Sequence, residues 1–153
     1  MWNFGSNSSI NMNKHINATP ETGKEFYLNF HQKGKVVMLN LLKFKSKADY
    51  TNLESIKPQK DISGKEAYKL YTDNTLLELN KLGSKILFYG ASNNFLIGPE
   101  SEKWDAVLLV EHQSVQTFMK FAESKIYLNN VGHRTAGLED SRLLPTTEIK
   151  NYT

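Results

Sequence analysis

Residues 36–44 read VVMLNLLKF, and this stretch decides the fold. A run this short, rich in Val and Leu and followed by a polar lysine-bearing segment, reads as a β-strand with apolar residues on both faces. Asn40 interrupts it. A buried amide is expensive unless something hydrogen-bonds it, so Asn40 needs a partner. By the period of two, Met38, Asn40 and Leu42 share one face and Leu39, Leu41 and Lys43 the other. The amide therefore points either to covering helices or to the opposite side of the sheet.

Working outward, Thr19 as N-cap and Pro20 at the first helical position open a short helix with Phe26, Tyr27 and Phe30 as apolar positions and Gly34 as its stop. After the strand, residues 45–62 (KSKADYTNLESIKPQKDI) are polar and without period, and Pro58 breaks any helix. A loop this long is a lid or binding-loop candidate, and the part around Tyr50 is expected to close over a site. The capping box Ser63–Glu66 then starts a helix over about 64–82, with Tyr68, Tyr71, Thr75, Leu79 and Leu82 at helical spacing. The stretch from Lys85 predicts a strand broken near Asn93-Asn94, a turn at Gly98-Pro99 and a second strand from Trp104 to His112. Ser114 caps a further helix, a second helical segment carries Leu128, Val131, Thr135 and Leu138, and the closing strand holds Pro145, which cannot donate to a ladder and so marks a sheet edge.

The order β-α-β-β-α-β is the ferredoxin-like α+β arrangement, a two-layer sandwich whose first and third strands are central. VVMLNLLKF and WDAVLLVEH are the most apolar strands, as central strands should be. One sheet face is covered by helices and the other is bare, so a homodimer through that face is expected. The 153 residues, 39% hydrophobic, fit a single domain over 19–150. Residues 1–18, dominated by Asn, Ser and isolated apolar residues, read as a mobile tail, with Met12 as an alternative start.

The net charge of +3 comes from scattered lysines interleaved with acidic residues, a poor pattern for nucleic acid or anionic membrane. With no cysteine, disulfides, thiol catalysis and thiolate metal sites are excluded, and a cytoplasmic location is expected. No stretch of about 18 apolar residues appears. His15, His31, His112 and His133 show no metal-ligand spacing, and Glu111 and His112 face opposite ways along a strand, so no metal is expected. Phosphate-binding glycine loops and a GxSxG elbow are also missing, so no cofactor is expected. RNA recognition through a ferredoxin-like sheet needs aromatic residues on the third strand, which offers only Trp104 at its end.

VVMLNLLKF, the LIGPE turn followed by WDAVLLVEH, and HRTAGLEDSRLLP occur in order over roughly 36–146. In these three motifs the chain resembles the domain of unknown function 1330 family, within the dimeric α/β-barrel superfamily. The resemblance implies a ferredoxin-like protomer packed sheet-to-sheet on a second copy. It implies no reaction, since the superfamily includes cofactor-free monooxygenases, haem-degrading enzymes, lyases and members that only bind.

The polar candidates follow. Arg134 lies along the edge of an apolar helical stripe, and is either salt-bridged to Glu139 or Asp140 or aimed at an anionic ligand. His133, about 100° round the helix, is the candidate proton carrier. Asn40 is the candidate anchor for a polar oxygen, and Tyr71 and Trp104 are candidate pocket lining. Asp105, matching a Trp-Asp pair of the family, is expected to cap a turn or pair with a lysine. Two functions remain: a binding module for a small anionic or carbonyl-bearing molecule, or a metal-free, cofactor-free enzyme such as a monooxygenase, isomerase or lyase. In both, Asn40, His133 and Arg134 are expected to border one cavity.

Overall fold

The computed structural model describes residues 14–151. Helix α1 (Pro20–Phe30) precedes strand β1 (Val36–Phe44), helix α2 (Gly64–Lys81), strands β2 (Lys85–Ala91) and β3 (Ala106–His112), helices α3 (Val115–Glu123) and α4 (Lys125–Gly137), and strand β4 (Leu138–Thr146). The four strands form one antiparallel sheet in the order β2-β3-β1-β4. The ferredoxin-like topology follows directly, with α1 as an addition at the front and the second crossover split in two at Ser124. Ser124 ends α3 and caps α4 through its own hydroxyl, which accepts from Tyr127 N at 3.1 Å. No helix among the described residues is long and apolar enough to cross a membrane.

The caps form where the sequence puts them. Thr19 and Thr22 exchange hydrogen bonds at the start of α1, and Ser63 and Glu66 do the same for α2, each satisfying amides that a helix start leaves open. Asp105 accepts the Phe44 amide at 2.8 Å, so it ties the end of β1 to the start of β3. Strand β2 ends at Ala91, before the expected break at Asn93-Asn94, and its irregularity lies between Ile86 and Phe88 instead.

The sheet has two different faces. Val36, Met38, Asn40 and Leu42 are buried beneath the helices, and with Leu108, Val110, Tyr68, Leu79, Phe121 and Leu138 they make the core. On the other face Phe88, Leu109, Leu39 and Leu144 form one row across all four strands. Phe88 and Leu144 at its ends are 55% and 59% exposed. Both faces of β1 are apolar as the sequence predicts, but in the single chain helices cover only one.

Residues 1–13 of the expected 1–18 tail lie outside the described residues. Residues 14–18 run along β4: His15 N donates to Asp140 at 2.8 Å, Ser141 Oγ donates to His15 O at 2.6 Å, and Lys14 pairs with Glu139. Ile16 packs on the core.

Helices α2 and α4 meet through glycines. A Cβ on Gly64 would lie 2.5 Å from Gly137 O and 2.3 Å from Lys45 O, and one on Gly137 would lie 2.4 Å from Gly64 O. These are rigid backbone atoms, so nothing can yield cheaply. Gly137→Ala should therefore cost roughly 2 kcal/mol or more, read as a lowered urea midpoint. An unchanged midpoint would show that the helix contact is looser than described.

Candidate functional site

Between the helix-covered sheet face and the helices lies a cavity of about 670 Å³. Its floor is Met38 and Asn40 of β1 with Leu108, Val110 and His112 of β3; its sides are α2 and α4; α1 and residues 15–18 close part of the top. Burial of Asn40 at 8% exposure answers the question its sequence position raises. Its Nδ2 donates to Met38 O and Leu108 O, both at a long 3.3 Å. Its Oδ1 accepts no hydrogen bond among the described residues.

Tyr68 and Tyr71 come from one face of α2, three residues apart, and Tyr127 and Arg134 from one side of α4, seven apart. The rings of Tyr68 and Tyr71 are 5.4 Å apart and those of Tyr71 and Tyr127 6.1 Å. Burial pushes the pKa of all three phenols up, while the charge of Arg134 pulls each back. They are neutral hydrogen-bond donors at ordinary pH. None of the three hydroxyls makes a hydrogen bond among the described residues, and the Arg134 guanidinium has neither a hydrogen bond nor an ion pair there.

The salt-bridge alternative for Arg134 fails because its acidic neighbours are engaged elsewhere. Asp140 accepts Arg142 Nη1 at 2.7 Å, the Ser141 amide at 2.9 Å and the His15 amide at 2.8 Å. Glu139 pairs with Lys14. A half-buried guanidinium is thus left facing a cavity near three phenols, a donor-rich environment suited to an anion.

Asn40, Arg134 and Tyr71 thus share one cavity, and His133 and Trp104 do not line it. His133 turns to the other side of α4, where its Nδ1 and the Tyr50 hydroxyl are hydrogen-bonded at 2.7 Å and the rings meet edge-on at 5.6 Å. Adjacent helical residues diverge by about 100°, and here that divergence separates the pair completely. Trp104 is buried outside the cavity lining, its Nε1 donating to Glu102 at 3.2 Å and the Arg142 guanidinium lying 4.9 Å from its ring. Residues 45–62 contribute nothing to the cavity lining. Their amides at Ala48 and Asp49 bond Ile62 O and Ala136 O, both at 2.9 Å, and Tyr50 packs with Ala67 and Ala136, so the segment is a docked plug on α4.

Sequence reasoning missed Tyr68 and Tyr127 as lining, although their helical spacing to Tyr71 and Arg134 carried the signal. It also set aside His112, 2% exposed on the cavity floor with Nδ1 2.7 Å from Ser84 Oγ and its ring against Phe118 at 5.1 Å. Among the described residues no group of three or more His, Cys, Asp or Glu is placed to hold a metal.

Burial lowers the pKa of His112 from 6.5 to about 4. The unfolded chain binds the proton more readily across that window, so the contribution is whole above 6.5 and lost as pH falls towards 4. The loss amounts to the order of 3 kcal/mol; burial also lowers the pKa of His133, adding in the same direction. Urea midpoints at about pH 7 and pH 5 should fall together for wild type and fall less for His112→Gln; equal falls would place the acid sensitivity elsewhere.

No family model and no curated protein matches the chain. Among solved structures, the chain is similar to the methylated RPA0582 protein, at 32% identity and TM-score 0.80 over 92% of this chain and 98% of that one. It is likewise similar to the RPA0582 protein of unknown function from Rhodopseudomonas palustris, at 33% identity and TM-score 0.79 over 90% and 98%. A dimeric protein of unknown function with a ferredoxin-like fold from Bacteroides fragilis matches at 12% identity and TM-score 0.46 over 74% and 96%, too remote to bear on this chain.

Proposed function

This chain belongs to the family of the RPA0582 protein, and on that premise we propose that it is a homodimeric binding protein for a small anionic molecule. The observation that carries this reading is Arg134, whose guanidinium faces the cavity with no ion pair among the described residues while Glu139 and Asp140 are engaged by other cations. Tyr68, Tyr71 and Tyr127 supply neutral donors around it, and Asn40 supplies an amide whose Oδ1 is unoccupied by any described residue. A carboxylate takes two donors of a guanidinium at once and a phenol on a remaining lone pair. On the three motifs over 36–146 we assign the chain to the domain of unknown function 1330 family. A cysteine-free chain suits a reducing cytosol, and we assign it there.

The enzyme alternative, in which His133 moves a proton, has little support from this geometry. His133 shares its Nδ1 with Tyr50 and stands outside the cavity lining. We assign it instead to holding the 45–62 segment on α4.

The dimer reading rests on the bare sheet face, where the row Phe88, Leu109, Leu39 and Leu144 leaves apolar area in water at both ends. Sedimentation should give about twice the chain mass, and Phe88→Lys should shift the population towards monomer. A folded monomer at micromolar concentration overturns the dimer.

For the site, a thermal-shift screen of small carboxylates and carbonyl compounds should find a molecule that stabilises the wild type. At a hundredfold excess over its dissociation constant the gain is about 2.7 kcal/mol. Arg134→Gln should retain the fold and lose that gain. A ligand that stabilises both proteins equally removes Arg134 from the site.

A further inference from the structure

We propose that the occupant is an amphipathic monocarboxylic acid, its carboxylate at Arg134 and an extended apolar tail running along the sheet to the aromatic cluster of α1 and α3. This deepens the anion-binding reading of the same cavity and rests on it.

The cavity is chemically lopsided. Its one uncommitted cation and three free phenols gather at one end: Arg134 acts on Tyr68, Tyr71 and Tyr127, whose rings follow one another at 5.4 and 6.1 Å, and the Tyr68 ring packs 5.5 Å from Phe44 at the far end of β1. Asn40 lies on the floor at the middle of β1, opposite Leu108 and Leu143. From there the floor continues through Met38 and Val110 to His112, which pairs with Val36. Four residues of strand separate the Asn40 and Val36 positions, roughly 13 Å. The cavity is therefore long as well as large.

The other end is apolar and aromatic. Phe26 packs on Phe30 and on Phe118, both at 5.6 Å, and Phe118 packs on the His112 ring at 5.1 Å. Ile86, Leu79, Phe121 and Ala122 complete the walls. The inward polar side chains of α2 and β3 on this stretch are engaged inside the protein: Thr75 donates to Tyr71 O at 2.8 Å, Thr72 to Lys69 O at 3.0 Å, and His112 Nδ1 is held by Ser84, while Glu25 and Asn29 of α1 stand exposed at the rim. His112 is neutral, since burial takes its pKa to about 4. A second carboxylate on the ligand would meet no cation there, only Glu25 at the rim, and would be desolvated without compensation. That argument selects a monoacid over a diacid and an apolar tail over a polar one.

The test is calorimetric titration of the full chain with acetate, butyrate, hexanoate, octanoate and decanoate, with succinate and octanol as controls. Each added methylene should tighten binding about fourfold until the cavity is filled. Octanol should bind at least about tenfold more weakly than octanoate, as loss of a charge-assisted pair implies. Ala122→Leu, or Ile86→Phe should the first variant fail to fold, should weaken decanoate and leave butyrate unchanged. Three results overturn the proposal, and they differ in what survives. If short acids and succinate bind as tightly as octanoate, the tail is wrong and the anion site stands. If octanol binds as tightly as octanoate, or Arg134→Gln binds octanoate as wild type does, the anion reading fails as well. If none of the acids binds, the cavity is not a carboxylate site of any length.

Discussion

The backbone contact between Gly64 and Gly137 sets the rest of the structure. Lys45, the first residue after β1, donates its amide to Gly137 O and accepts from the Gly64 amide, both at 2.9 Å. The end of a central strand, the start of α2 and the end of α4 are thereby joined at one point, where a side chain on either glycine would collide with carbonyl oxygens. Beside it Ala67 and Ala136 are fully buried. Small residues bring the helices together here, and farther along the pair the interface changes to Tyr71 and Tyr127. Tyr71 and Tyr127 both line the cavity, which lies on that side of the glycine contact.

The same contact explains the long segment after β1. Because Lys45 is fixed between the two helices, residues 46–62 start from an anchored point and return to one at Gly64. The Tyr50–His133 hydrogen bond then fastens the middle of the segment to α4. A segment with both ends and its centre held is poorly suited to act as a lid. The side of the cavity away from the glycine contact is instead roofed by α1 and by residues 15–18, the latter read from sequence as part of a mobile tail.

Charge partnering is a second consequence. Residues 14–18 run against β4 and engage Glu139 and Asp140, and Arg142 takes a further oxygen contact on Asp140. Arg134 is left without an acidic partner among the described residues, although two acids follow it closely in sequence. An exposed arginine in that position would be a minor surface charge. Half-buried near three phenols, it is instead a cation turned to the cavity without a described counter-charge.

The sequence by itself determined the strand and helix order, because hydrophobic periodicity, capping boxes and the placement of Gly and Pro are local signals. It also determined which strands are central and that Asn40 would be buried and in need of partners. Arg134 and Asn40 were legible as candidates because each is unusual for its local pattern, and Tyr71 only as one aromatic residue on a regular apolar helix face. Whether they meet depended on how α2 and α4 cross, and that crossing is fixed by a contact between residues 64 and 137, seventy-three positions apart. For the same reason the separation of His133 from Arg134, the burial of Trp104 outside the cavity and the docking of residues 45–62 were decided only by the tertiary structure. Local pattern states which face of a helix is apolar; the direction a neighbouring residue takes becomes meaningful only when a second element stands there to receive it.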